Sequence, residues 1–184
     1  MKKETGFTLI EVIITLTLIT IVLGILVSIY IFNVRTFQIE LRRSKLQTET
    51  QTILDKIISD TKLATEISEN YNEYSTSSDT IILAVPAVDE SQNFLYAGEQ
   101  FKKDYIIYYS SNNNLYKVIS ADPSGSREST PSPVKLSGYT TCQFSYDPDI
   151  EDAEKINVNL TSSVYSMKRD IVVNLNSEAK LRNK

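Results

Sequence analysis

Glu11 is the one charged side chain among the 26 residues from Phe7 to Phe32, and no further charge appears until Arg35. A charged side chain at mid-bilayer costs about 2.5–3.5 kcal/mol, and less toward the interface, so an acid in such a run is a functional candidate with a partner to be named. It follows an ordered pattern, Lys2-Lys3-Glu4-Thr5-Gly6 and then Phe7-Thr8-Leu9-Ile10. A second set of oxygen ligands is gathered at Asp147, Asp149, Glu151, Asp152 and Glu154, where the first four are candidates for calcium. That run is no EF-hand, because the twelfth position from Asp147 is Val158 and the sixth is not glycine, and we read it as a solvated hairpin loop.

The chain has no histidine and one cysteine, Cys142. This removes the usual catalytic base, the commonest metal ligand and any intramolecular disulfide. Cys142 alternates with Phe144 and Tyr146 and reads as a small core residue. We therefore expect no catalytic residue, no resident metal and no cofactor. The net charge of −4 carries no basic footprint for nucleic acid, so direct binding of nucleic acid by this chain alone is not expected.

The elements that position Glu11 begin with Val12 to Phe32, 21 uncharged residues rich in Ile, Leu and Val. At about 1.5 Å per residue a helix of that length matches a hydrocarbon layer of about 30 Å. A secretory signal peptide would be shorter and would end in a small-x-small cleavage site, which Ser28-Ile29-Tyr30-Ile31-Phe32 does not offer. Taken alone, Glu11 is also compatible with an interfacial carboxylate on a plain membrane anchor.

Through Lys2, Lys3, Gly6, Phe7, Thr8, Leu9, Ile10 and Glu11 the chain resembles type IV prepilins and type II secretion pseudopilins. The resemblance implies a leader, residues 1–6, recognised through Lys2 and Lys3 and removed by a prepilin peptidase between Gly6 and Phe7. It implies N-methylation of Phe7, a mature chain of 178 residues, and Glu11 as the assembly glutamate. Other pilin or pseudopilin subunits, the membrane platform of the assembly machine and membrane lipid are the partners it implies. The physics agrees: cleavage creates an amine at Phe7, and a neighbouring copy shifted along a filament axis can set that amine against Glu11. Opposite charges attract far more strongly out of water, and each is costly when buried alone, so the pair favours one axial register.

Charge counting opposes one implication. Arg35, Arg42, Arg43 and Lys45 flank the apolar run on its C-terminal side against Lys2 and Lys3 on the other, which favours a cytoplasmic C-terminal flank. The resemblance places the N-terminus in the cytoplasm and the head outside it, on the cell surface or in a periplasmic filament.

Between Gly24 and Pro86 there is neither glycine nor proline, so one helix can run from the apolar segment to about residue 68. Its second half, 33–69, is amphipathic: Phe37 and Leu41, then Leu46, Ile53, Leu54, Ile57, Ile58, Ala64 and Ile67, gather on one side. The head, 70–184, opens with a polar loop from Asn70 to Asp79. Strands are expected at Thr80–Val85, at Tyr105–Tyr109 and Leu115–Ile119 as an asparagine-turned hairpin, and at Gly138–Tyr146, Ile156–Leu160 and Ile171–Leu175. Ser120 to Pro133 reads as a flexible surface connection without a phosphate cradle, and Ala179 to Lys184 as a frayed charged end. The expected fold is α+β and pilin-like, a long N-terminal helix packed on an antiparallel sheet.

Its size and layout look similar to J-type pseudopilins and W-type minor pilins, and retention of Glu11 argues against a K-type tip subunit. The function expected is that of a minor pilin or pseudopilin, a structural subunit that primes or caps a filament serving DNA uptake, secretion or adhesion. The alternative is a single-span, membrane-anchored extracytoplasmic binding or sensor domain. A hydrolase would need a carboxylate or Ser-Lys mechanism, for which no spacing is present.

Overall fold

A computed structural model describes residues 8–98, 100–150, 153–166 and 169–181. One helix, α1, runs without a break from Leu9 to Leu63. The chain divides into two compact units, Met1–Arg42 and Arg43–Lys184.

In the first unit the side chains of α1 are exposed along the whole apolar run, Leu9 to Phe32. Helix continuity follows from the absence of any breaker except Gly24, and no atom outside the helix lies within 4 Å of the position a Cβ would take there. The Ser and Thr hydroxyls in this oily stretch are satisfied within the helix. Those of Thr15, Thr17, Thr20 and Ser28 donate to the carbonyls of Glu11, Ile13, Leu16 and Gly24 at 2.7–2.8 Å. Phe37 and Leu41, expected on the packed stripe, are exposed.

Among the described residues, the second unit joins the end of α1 to twelve strands. In chain order they are β1 Glu66–Ile67, β2 Asn70–Tyr71, β3 Tyr74–Ser75, β4 Thr80–Pro86, β5 Tyr96–Ala97 and β6 Gln100–Phe101. The longer ones follow: β7 Lys103–Ser111, β8 Asn114–Ser120, β9 Val134–Gly138, β10 Thr140–Asp147, β11 Lys155–Ser166 and β12 Arg169–Lys180. A five-stranded sheet has the order β1-β4-β7-β8-β9 and a three-stranded sheet the order β10-β11-β12, with β2-β3 and β5-β6 as small hairpins. Every pairing is antiparallel. The architecture is thus α+β, with the antiparallel head drawn as two main sheets rather than one.

The core lies where α1 meets both sheets. Thr50, Leu54, Ile57 and Thr61 form the buried stripe of the helix, one side chain every turn. Ile81, Leu83 and Val85 of β4, Ile106 and Tyr108 of β7, and Leu115 of β8 meet it from one sheet. Cys142, Phe144, Ile156, Val158 and Leu160 meet it from the other. Full burial of a side chain such as Ile57 stabilises the fold by roughly 1.5–3 kcal/mol. Burial pushes the Cys142 thiol up, as fits a core residue.

Several boundaries differ from those expected. The helix stops at Leu63, five residues early, because Glu66 and Ile67 pair with Ala84 and Leu83 of β4. Ala64 and Ile67 remain buried, but beyond the helix. The expected loop from Asn70 holds the β2-β3 hairpin, turned by Asn72 in the left-handed region at φ 52°. The β7-β8 hairpin closes tightly on Asn112 and Asn113, both at positive φ, a conformation asparagine tolerates. The strand expected at 138–146 is two strands: Tyr139, at φ 56°, marks the passage from β9 in one sheet to β10 in the other. The C-terminal end is not frayed over its whole length, since β12 reaches Lys180 and Ala179 and Leu181 are buried. Nor is the 120–133 connection loose: Thr130 exchanges hydrogen bonds with Ile119, and Ser129 and Asp104 accept the amides of Ala121 and Asp122.

Candidate processing and assembly site

Thr8 and Glu11 form the start of α1. Thr8 stands at the N-cap, its carbonyl accepting the amides of Glu11 at 3.1 Å and Val12 at 3.3 Å. Its hydroxyl oxygen accepts the Glu11 amide, and Glu11 Oε2 accepts from the Thr8 amide and hydroxyl, all at 3.4 Å. This is a capping box, in which the N-cap side chain and the acid three residues on satisfy each other's backbone amides. The signature Thr-x-x-Glu preceding an apolar run was present in the sequence, and Thr8 is the residue that reading Glu11 as an isolated charge overlooks. A carboxylate at this end also sits at the positive pole of the helix dipole.

Of the residues expected to serve processing, Lys2, Lys3, Gly6 and Phe7 lie outside the described residues, so the structure places Glu11 alone among them. Glu11 is exposed, on a helix end whose neighbouring side chains are also exposed and apolar. Such a surface, an oily cylinder with one carboxylate at its head, is built for an apolar medium. By length and composition α1 can cross a membrane.

Of the acidic run, the structure describes Asp147, Asp149 and Glu154. Asp147 ends β10 and is exposed, Asp149 is exposed in the connection, and Glu151 and Asp152 lie outside the described residues. Ala153 is buried and Ile150 packs on the core, which holds the connection down, while the Glu154 amide donates to the Asp147 carbonyl at 2.9 Å. Among the described residues no three His, Cys, Asp or Glu side chains come together as metal ligands.

Several polar groups buried or half-buried in the head are anchors. Asp60, on the last turn of α1, accepts from the Tyr108 hydroxyl at 2.6 Å and from Lys117 Nζ at 2.5 Å, and the Lys117 ammonium lies 5.1 Å from the Tyr108 ring centre. Burial and the neighbouring Asp60 carboxylate raise the Tyr108 hydroxyl far above its ordinary value. Thr50 donates to Ser162 at 2.9 Å, and Ser162 and Thr140 share a bond of 2.8 Å, joining the helix to β10 and β11. Asp104, fully buried at the start of β7, is paired with Arg127. Each of these groups is hydrogen-bonded or ion-paired within the head.

Residues 1–27 match the model of the prokaryotic N-terminal methylation motif. No curated protein matches the chain. No solved structure matches it. The matched span contains the Lys2-Lys3 pair, the Gly6-Phe7 junction, Glu11 and most of the apolar run.

Proposed function

We propose, from the premise that this chain carries the signal of a type IV pilin-like precursor, that it is a structural filament subunit, a minor pilin or pseudopilin, and not an enzyme. The apolar half of α1 holds it in the membrane as a single span, N-terminus in the cytoplasm. A prepilin peptidase, meeting Lys2 and Lys3, cuts between Gly6 and Phe7 and leaves Phe7 to be N-methylated. Glu11 then accepts the amine of an adjoining subunit, and the chain primes or caps a pilus or secretion-type filament.

The observation that carries this reading is the methylation motif over residues 1–27, with an acid placed five residues beyond the junction at the head of an otherwise uncharged helix. The capping box is compatible with it. The cut leaves Thr8 and its amide in place, and Glu11 is held by long bonds of 3.4 Å. A cationic amine offers the carboxylate a charge-assisted bond, about twice as strong as a neutral one. The head's saturated polar clusters support a structural role.

Mass spectrometry of the protein from its own cells is the test. An N-terminus at methylated Phe7 is expected, whereas an intact leader would reduce the protein to an anchored binding or sensor domain. The variant Glu11→Ala should be inserted and cleaved as the parent is, yet be lost from sheared or pulled-down filaments. Equal incorporation of that variant would remove Glu11 from the assembly contact.

A further inference from the structure

Four asparagines, Asn157, Asn159, Asn174 and Asn176, sit within strands β11 and β12, although asparagine is depleted from strands. All four are exposed, while the alternate residues Ile156, Val158, Leu160, Ile171 and Val173 are buried. They therefore share the outer face of the three-stranded sheet. Register sets them in rows: Gln143 lies opposite Asn159 and Asn159 opposite Asn176. Ser145, Asn157 and Glu178 make the next row, and Thr141, Thr161 and Asn174 the row on the other side. The charge of Glu178 is matched by Lys155 at 3.0 Å.

A groove runs over the first two of these rows, Gln143-Asn159-Asn176 and Ser145-Asn157-Glu178, bounded beside β10 by Ser78. That wall is fixed: the Ser78 carbonyl accepts the Phe144 amide at 2.7 Å, and the Tyr146 hydroxyl bonds to the carbonyls of Ser77 and Thr80. Further along the same face of β11, four residues beyond Thr161, the side chain of Tyr165 is 69% exposed, with Val172 exposed on the neighbouring strand.

We propose that this face binds a neutral polyhydroxylated chain, an oligosaccharide. A primary amide offers two donors and an acceptor with two lone pairs, and a sugar hydroxyl likewise donates and accepts. The sheet repeats such groups at about 4.8 Å across the strands and about 6.8 Å along them. An exposed tyrosine ring supplies a flat apolar surface for the C–H face of a sugar, with a polar tip. The row beside the asparagine rows, Asp147, Lys155 and Lys180, together with Glu178 carries two charges of each sign, so the face has no net charge to attract a phosphate-bearing ligand. A surface usually intersperses charges of both signs, and a cluster of residues disfavoured by local propensity marks a site where something other than folding has set the choice. The proposal does not rest on the filament role.

The test is titration of the full chain, held in a detergent without a sugar headgroup, with chitotetraose and with maltotetraose. Saturable binding of at least one probe is expected, with a Kd of about 1 mM or tighter. The affinity should be unchanged by salt, since no ion pair is formed. Asn159→Ala with Asn176→Ala should weaken binding at least about tenfold, a loss of about 1.4 kcal/mol, with the melting temperature unchanged. The single isosteric change Asn176→Asp should weaken it too, which keeps the test valid should the double variant fold poorly. The proposal is overturned if neither probe binds, if affinity falls steeply with salt, or if both variants bind as the parent does. It is equally overturned if they alter self-association while sugar affinity stays, since the rows would then belong to a contact between copies.

Discussion

Lys117 shows how a single residue can be structural while looking functional. Its ammonium, the Asp60 carboxylate and the Tyr108 hydroxyl form a closed set between α1 and the five-stranded sheet. Lys117→Met should destabilise the head by about 2–4 kcal/mol, because it leaves the half-buried Asp60 carboxylate with one neutral donor. Adding Asp60→Asn should recover part of that loss in urea denaturation; a single variant as stable as the parent would show the pair to be solvated. The opposite case is Thr61, whose hydroxyl is buried without a hydrogen-bond partner. Thr61→Val, nearly isosteric, should leave the head as stable or raise its stability by up to about 1 kcal/mol, since a buried unsatisfied hydroxyl is removed. A clear drop in melting temperature would mean that a bound water serves this oxygen. Residue type alone does not announce the Asp104–Arg127 pair, because an acid between Lys103 and Tyr105 reads as a wet position. Spacing did contain it: Asp104, Ile106 and Tyr108 share a parity, and all three are buried.

At the scale of elements, what could be read was governed by periodicity. The missing breakers between Gly24 and Pro86 made α1 legible, and the alternations at 156–160 and 171–175 made β11 and β12 legible. The stop at Leu63 was not, because nothing in Leu63-Ala64-Thr65-Glu66 disfavours a helix; pairing with β4 prevails over local preference there. At the C-terminal end the alternating pattern prevails over the charge that suggests fraying. Ile171, Val173, Leu175, Ser177, Ala179 and Leu181 continue one period of two to the edge of the core, where Leu181 is 3% exposed. Leu181→Ala should therefore cost about 2–4 kcal/mol, a value that a frayed end could not show. Equilibrium unfolding of the solubilised chain measures it.

For the whole molecule, a chain without histidine lacks the side chain that ordinarily titrates between pH 5 and 8. Its melting temperature should be nearly flat between about pH 6 and 8. At the acid end, Asp89 is held below the usual carboxylate range by the Asn93 amide, and Asp122 by the Ser124 hydroxyl. Their contributions are complete above the ordinary value of 3.8 and vanish as pH falls through the depressed values. At the alkaline end the signs reverse. Burial raises the Cys142 thiol above 9.0 and pushes the Tyr109 hydroxyl up to about 12, so the unfolded chain releases protons that the folded one keeps. Stability should decline as pH rises past about 9, and circular dichroism melts from acid to alkaline pH would trace the plateau and both shoulders. A steep change inside the plateau would reveal a titrating group that the head does not display.

Because Thr15, Thr17, Thr20 and Ser28 turn their hydroxyls onto carbonyls of their own helix, these four side chains ask nothing polar of their surroundings. Lipid tails and the oily flank of another helix are then interchangeable solvents for them, and leaving one for the other breaks none of their hydrogen bonds. The carboxylate at the head of the anchor and the exposed Tyr30 hydroxyl near its far end are what can tell the two apart.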